Sequence, residues 1–194
     1  MSNIHAISTF INNFQGGFRP NRFRITGTAP AGVGDLFGTE GIYCMASSLP
    51  ESNVGIIPIP FRGRIYKFPG DRSYNEWTVT LLDDSGTKLW GKWHAWSEKF
   101  NSHVDNLAAA RDHKSNFCAI TINHLDHQTD SVIKTIILQN AWPVQVGPVQ
   151  LDMGAANQLV QFQVQIAYSH YASPTVNNPS STTPPPPPSL LAAP

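Results

Sequence analysis

From Leu159 to Tyr168 the chain alternates: Val160, Phe162, Val164, Ile166 and Tyr168 are apolar, while Gln161, Gln163, Gln165 and Ala167 fall between them. A period of two puts one set on a dry face and the other on a wet one, which predicts a half-buried strand. Trp77, Val79 and Leu81 alternate with Thr78 and Thr80 in the same way, and Cys118, Ile120 and Ile122 alternate with Ala119, Thr121 and Asn123. Shorter β signals run over Phe18 to Gly27, Gly41 to Ala46, Val54 to Ile59, Ile65 to Phe68 and Val132 to Trp142. Turn-formers at Pro50, Pro60 and Pro69-Gly70 separate them. About eight strands are expected, a number that suits two packed sheets or a barrel.

One segment has a different period. Leu89, Trp93, Trp96 and Phe100 recur at steps of four, three and four, which predicts a helix with one apolar face, capped by Asp84 or Ser85. An aromatic stripe at this spacing reads as core, so Trp93 and Trp96, with Trp77 and Trp142 from the strands, are structural aromatics. The expected fold is therefore mainly β: a sandwich or barrel of two packed sheets with one flanking helix. Residues 1–171 form its single domain. The stretch 172–194 reads as a disordered, polyproline-leaning tail, because eight of its last 22 residues are proline and supply no N–H to a sheet.

Charge narrows the function. The 13 Lys+Arg balance 13 Asp+Glu, and charged residues are only 13% of the chain, so the wet surface is built from 23 Asn+Gln and 29 Ser+Thr. A nucleic-acid clamp needs a basic surplus, which is missing. The start MSNIHAISTF has no basic-then-apolar signal pattern, and no apolar run approaches a membrane span, so no membrane anchor is expected. Cys44 and Cys118 lie in no CxxC pattern and read as reduced core residues of a protein made in the cytosol.

Candidate chemistry is sparse. His124 and His127, with Asp126 and His103 or His113, are the best metal candidates, but they fall on a strand end and a polar loop and lack ligand spacing. No GxSxG, Walker-type or GxGxxG pattern precedes a helix, and Gly16-Gly17 and Ala31 to Gly34 read as flexible loop. Asp83 and Asp84 read as compensation of the helix dipole rather than a catalytic pair. No cofactor, metal or catalytic residue is expected, and the chain does not read as an enzyme. The densest basic stretch is Arg62, Arg64, Lys67 and Arg72 with Gly70 and Asp71. It lies among Phe61, Tyr66 and Phe68 and the prolines Pro58, Pro60 and Pro69, and reads as a projecting hairpin that contacts another subunit.

Three stretches carry a resemblance. Phe68 to Asp84, containing Gly70-Asp71-Arg72 and Glu76-Trp77-Thr78-Val79, is similar to the GDR and acidic-Trp-Thr-Val pattern of the tail tube proteins of contractile-tailed bacteriophages. Asn140 to Asp152, with Trp142-Pro143, Gly147 and Leu151-Asp152, followed by Asn157 and the alternating last strand, resembles the ending of that family. Arg19-Pro20-Asn21-Arg22-Phe23 is a third match. The glycine-rich stretch near 29–40 and the proline-rich tail depart from the pattern, the first looking like an insertion.

The resemblance implies a tail-tube-like subunit that polymerises as stacked hexameric rings into the inner tube of a contractile tail, the conduit for DNA. It implies a sheath outside, a tape-measure protein and then double-stranded DNA inside, and a baseplate initiator and tail terminator at the ends. The site would be the virion, after assembly in the host cytoplasm. A tube-initiating baseplate protein and the tube of a related secretion system are similar. From outside the family, a monomeric carbohydrate-binding β-sandwich competes and would remain a small particle. Within the tube reading, Gln161, Gln163 and Gln165 with Thr78 and Thr80 are candidates to line the lumen, and Arg62, Arg64, Lys67, Gly70, Asp71 and Arg72 to make assembly contacts.

Overall fold

The alternation over 132–142 is realised as a strand of 15 residues, Val132–Val146, long enough to serve two sheets. The computed structural model describes residues 7–174 apart from 15–16, 18, 28, 87, 109–112 and 157. Its elements are α1 (Ile7–Asn13), β1 (Phe23–Gly27), β2 (Cys44–Ser47), β3 (Asn53–Phe61), β4 (Arg64–Ser73), β5 (Trp77–Leu82), α2 (Leu89–Glu98), β6 (Cys118–Leu125), β7 (Val132–Val146), β8 (Gln161–Ala167) and β9 (His170–Ala172). Short 3-10 turns occur at Thr39–Gly41 and His113–Asn116.

All pairings are antiparallel. The main path runs β1-β6-β7-β8-β5-β2, with β9 also on β7. The first part of β7 pairs with β6, from Val132 opposite Leu125 to Ala141 opposite Cys118, and the last part pairs with β8, from Trp142 opposite Ala167 to Val146 opposite Val164. The change of partner falls beside Asn140, whose φ of 53° lies in the left-handed region. One strand thus folds the path into two layers. The inward residues of β1, β6 and the first part of β7 (Ile25, Ile120, Ile122, Ile136, Leu138) share a core with those of β5 and β8 (Val79, Leu81, Phe162, Val164, Ile166). β1 and β2 end the path without pairing with each other, so the sandwich is open and the barrel form is not adopted.

The predicted helix is present as α2, with Leu89, Trp93 and Trp96 fully buried. Its N-cap is Lys88, in a left-handed conformation and without a side-chain bond, rather than Asp84 or Ser85. Asp83 supplies the missing acceptor from a distance, its Oδ1 taking the Trp90 N–H at 3.4 Å. Asp84 accepts from Gly86 N–H at 3.2 Å.

Three further differences stand out. The glycine-rich stretch at 29–40 is packed core: Val33, Leu36 and Phe37 are buried, and the Phe37 ring meets Trp93 edge-on at 5.5 Å. Gly41 is required there, because a Cβ would sit 2.0 Å from Ile25 O on β1. The projecting hairpin expected at the basic stretch is present as β3–β4, but its strands are longer than the expected Val54–Ile59 and Ile65–Phe68, and Pro60 and Pro69 lie inside them rather than in turns. α1 had no counterpart among the expected elements. Of the expected tail, the residues from 175 onward lie outside those described; β9 ends at Ala172, and Ser173 Oγ donates to Thr135 O at 3.3 Å.

Two measurements follow. Leu36→Ala should lower unfolding free energy by about 2–5 kcal/mol, the range for truncating a buried leucine, whereas a decorative loop would lose under about 0.5 kcal/mol in denaturant titration. Burial pushes the thiols of Cys44 and Cys118 up to about 12. Because the thiolate is the nucleophile, neither should react with a disulfide reagent at pH 8 until the protein is unfolded.

Candidate assembly surfaces

Arg62 and Gly63 both have positive φ, 45° and 80°, so β3 and β4 are joined by a two-residue turn of the type that matches strand twist. This turn fixes the phase of the ladder. Phe61 and Arg64 flank it as a hydrogen-bonded pair, and alternate pairs from there outward (Pro60 with Ile65, Pro58 with Lys67, Ile56 with Pro69) are the non-bonded ones. All three prolines therefore sit where the backbone N–H would point away from the ribbon. They cost no internal ladder bond, and they strip donors from its outer edges.

The same phase sorts the side chains. One face of the ribbon carries Ile57, Ile59, Phe61, Tyr66 and Phe68 with Arg64; the other carries Ile56, Pro58, Pro60, Ile65 and Pro69 with Lys67. The large apolar side chains on both faces are 46–67% exposed. Gly70 faces Gly55 across a bulge, where a Cβ would meet Gly55 backbone at 3.3 Å. Arg62 curls over its neighbour Phe61, 5.3 Å from the ring centre. Arg72 donates to Ser52 Oγ at 2.9 Å within the chain. The segment 53–73 contains four basic residues and one acidic one, so in a chain of formal net charge zero the remainder holds an opposite excess of three.

The second surface is the wet face of β5 and β8. Thr78 lies opposite Gln165, Thr80 opposite Gln163 and Leu82 opposite Gln161, which brings the sequence-derived lumen candidates together. β7 adds Gln145, opposite Gln165, and the loop after it adds Gln150; together with Thr80, Gly147 and Pro148 they line a shallow hollow of about 340 Å³. Gln145 and Gln150 were not singled out from the sequence. Gln145 does alternate with Val144 and Val146, a signal hidden by Pro143 and by the bulge there. The hollow is lined by no charged side chain.

The structural aromatics are buried or partly buried. Trp77 Nε1 donates to Ser48 O at 2.6 Å, Trp93 to Leu36 O at 3.0 Å and Trp96 to Asn116 O at 2.8 Å. Trp142 is partly buried and packs on Phe100, ring centres 5.7 Å apart. Of the histidine candidates, His124 Nε2 bonds Arg19 O at 3.0 Å, His127 lies 3.6 Å from Asp126, and His103 lies 3.9 Å from Glu98, while the side chain of His113 lies outside those described. Among the described residues, no group of three or more His, Cys, Asp or Glu is placed to hold a metal ion. No described helix is long and apolar enough to cross a membrane.

Because the ribbon's side chains are exposed in the subunit, Tyr66→Ser with Phe68→Ser should shift its unfolding free energy by no more than about 0.5 kcal/mol in denaturant titration. A larger loss would mean that these rings pack on the body.

Comparison with known proteins gives a consistent picture. Residues 12–173 match the family described as phage tail tube protein. The tail tube protein of Serratia phage KSP90 is 28% identical over 167 residues, 81% of this chain and 93% of its own length. That of Enterobacteria phage T4 is 26% identical over 153 residues, 79% of this chain and 90% of its own. In fold, the chain is similar to a component of the six-fold symmetrised anti-feeding prophage baseplate, with a TM-score of 0.62 at 12% identity, covering 85% of this chain and 100% of that one.

Proposed function

The chain belongs to the phage tail tube protein family, and from that premise we propose that it forms hexameric rings which stack through the β3–β4 ribbon. As a member it is a structural virion protein of a contractile tail's inner tube. The subunit makes and breaks no bond in this reading. The observation that carries the stacking is the ribbon itself. A two-stranded hairpin with both faces apolar is not stable against water alone, so it needs cover on each side.

A second copy supplies that cover with matching charge, since the ribbon holds an excess of three positive charges and the rest of the chain an excess of three negative. The prolines select how it docks. With Pro58, Pro60 and Pro69 removing outward N–H donors, another strand cannot add to the ribbon's edges without losing ladder bonds, so the faces make the contact. A ribbon of one copy against the body of another is a heterologous contact, which closes into rings or propagates as a filament.

The amide face fits the lumen. DNA carries one negative charge per roughly 1.7 Å of axis, so a wall bearing Lys or Arg would hold it, whereas Gln145, Gln161, Gln163, Gln165, Thr78 and Thr80 do not. The tape-measure protein before ejection and double-stranded DNA during it would pass this wall without specific binding. The sheath would lie outside, with the baseplate initiator and tail terminator closing the ends.

Purified protein should form rings or hollow tubes by negative-stain microscopy without any added cofactor, and a strictly monomeric particle at high concentration in light scattering would sink the proposal. Arg72→Ala should raise the concentration needed for assembly several-fold while leaving subunit folding unchanged, because an exposed bond to Ser52 contributes little within the chain. Changing Gln161, Gln163 and Gln165 together to Arg places about 18 positive charges in each six-fold ring. Tubes of that variant should eject DNA more slowly, with a rate that recovers as salt is raised. Ejection at the wild-type rate would put this face outside.

A further inference from the structure

Among the described residues, one buried side-chain polar atom, His94 Nε2, has no hydrogen-bond partner. His94 lies on α2, on the flank away from Lys92 and Lys99, and its ring packs on that of Trp90 one turn earlier, with centres 4.1 Å apart. The ring of His103, in the loop after the helix, has its centre 6.3 Å from that of His94. His103 Nε2 also lies 3.9 Å from Glu98 Oε1. Residues 102–107 bond to one another, Ser102 N–H to Leu107 O and Asn106 N–H to Ser102 O, both at 3.0 Å, while Val104 and Leu107 stay exposed. The two histidines therefore stand where this small loop meets the helix.

A neutral imidazole can present its bare nitrogen to a dry position, but an imidazolium carries N–H on both nitrogens. Protonating His94 in place would bury a charged donor without an acceptor, beside a second imidazole. Burial, and after it the repulsion of His103, hold the His94 imidazole below its ordinary value against the opposing pull of Glu98. Other charges are few around it. The segment 142–150, which meets α2 where Gly147 O accepts from Trp90, has no charged side chain; Asp105 is the one further charged residue of 102–107, and the Lys99 ammonium is bonded to Ala31 O.

We propose that His94 is a proton-sensitive pin: neutral, it sits between Trp90 and the loop at 102–107 and holds both on α2; charged, it leaves that position and releases the loop. Trp90 carries the event further. Its Nε1–H donates to Gly147 O at 3.3 Å, and Gly147 N–H donates to Gln163 O at 2.7 Å in the lining of the amide hollow. Withdrawal of the ring that backs Trp90 thus loosens one side of the hollow along with the loop. The packed form binds the His94 proton more weakly than the unfolded chain does, so the pin's contribution is whole above the ordinary imidazole value of about 6.5 and is lost as pH falls below it. This inference stands on the subunit alone and goes beyond the tube reading.

The test follows indole emission and amide hydrogen exchange of the full chain, held below its assembly concentration, from about pH 8 to about pH 4.5. Subtracting the signal of Trp90→Phe isolates Trp90, whose emission should change in one step centred below about pH 6.5. Exchange in 99–107, corrected for the intrinsic effect of pH, should rise roughly threefold or more across the same step. His94→Phe keeps a ring on Trp90 but takes no proton, and it should abolish both changes; His94→Gln, equally unable to charge, does the same if the larger ring fits poorly. His103→Gln removes the like charge and should move the step up in pH, and Glu98→Gln removes the opposite charge and should move it down, each by about 0.5 pH unit or more. A step that survives both His94 variants, or that the neighbouring substitutions leave in place or move the opposite way, overturns the pin. Exchange that stays flat while Trp90 emission changes overturns it too, because His94 would then titrate without holding the loop. Since no tube is present during the measurement, failure of the tube reading would leave the result intact.

Discussion

An indole N–H buried away from water must find an acceptor, and in this fold that requirement ties together segments far apart in the chain. Trp93 and Trp96 on α2 are fully buried and reach the carbonyls of Leu36 and Asn116, on opposite sides of the helix in sequence. Asn116, itself buried, turns its amide back to Lys99 O at 3.2 Å, just past the end of α2. Trp77 makes the corresponding bond from β5 to Ser48, beyond the end of β2. The core is thus closed by a few directional bonds laid over a non-directional apolar cluster. The Gly-rich segment at 29–40 is ordered because it supplies one of the acceptors, and Phe37 beside it fills the space against Trp93.

With the core closed in this way, the rest of the subunit is free to remain unfinished. The β3–β4 ribbon, α1 and the 151–159 loop all leave large apolar side chains in water, while the inward rows of β5, β6 and β8 are almost completely dry. Such a division suits a protein whose native state is an assembly: folding energy is collected within the subunit, and a separate set of apolar groups waits for other copies. The exposed edges are a hazard in any monomer, and the three prolines of the ribbon limit it by leaving its margins poor in donors.

The period-two rows were legible in the sequence because each borders a face buried on one side only; Phe162, Val164 and Ile166 point inward as their spacing requires. The four-three-four stripe of α2 was legible for the same reason. Proline misled at the ribbon. Pro60 and Pro69 read as turns because proline breaks central strands, but a two-stranded ribbon is all edge, and the true turn at Arg62-Gly63 carries only one conventional turn residue. The α2 cap was misplaced because the acceptor comes from Asp83, seven residues before the N–H it serves, a contact that depends on the loop's path. α1 escaped because seven residues hold only two turns of pattern, and its apolar side chains Ile7, Phe10 and Ile11 stay exposed.

The distribution of charge follows a single logic once the family is known. The chain has few charged residues, and it does not spread them evenly: four of its 13 bases lie on the ribbon between Arg62 and Arg72, and none lines the amide hollow. Attraction between exposed opposite charges falls off within about 8 Å at physiological salt, so bases help assembly only where they meet another copy closely. A base in a DNA passage, by contrast, would act on every phosphate that slid past it, for the whole length of the tube. Concentrating the positive charge on the ribbon, the proposed joint, and leaving amides along the proposed wall satisfies both demands with the same small number of residues. On the proposed reading no basic surplus is needed: in a conduit, unlike a clamp, the useful interaction with the cargo is a weak one.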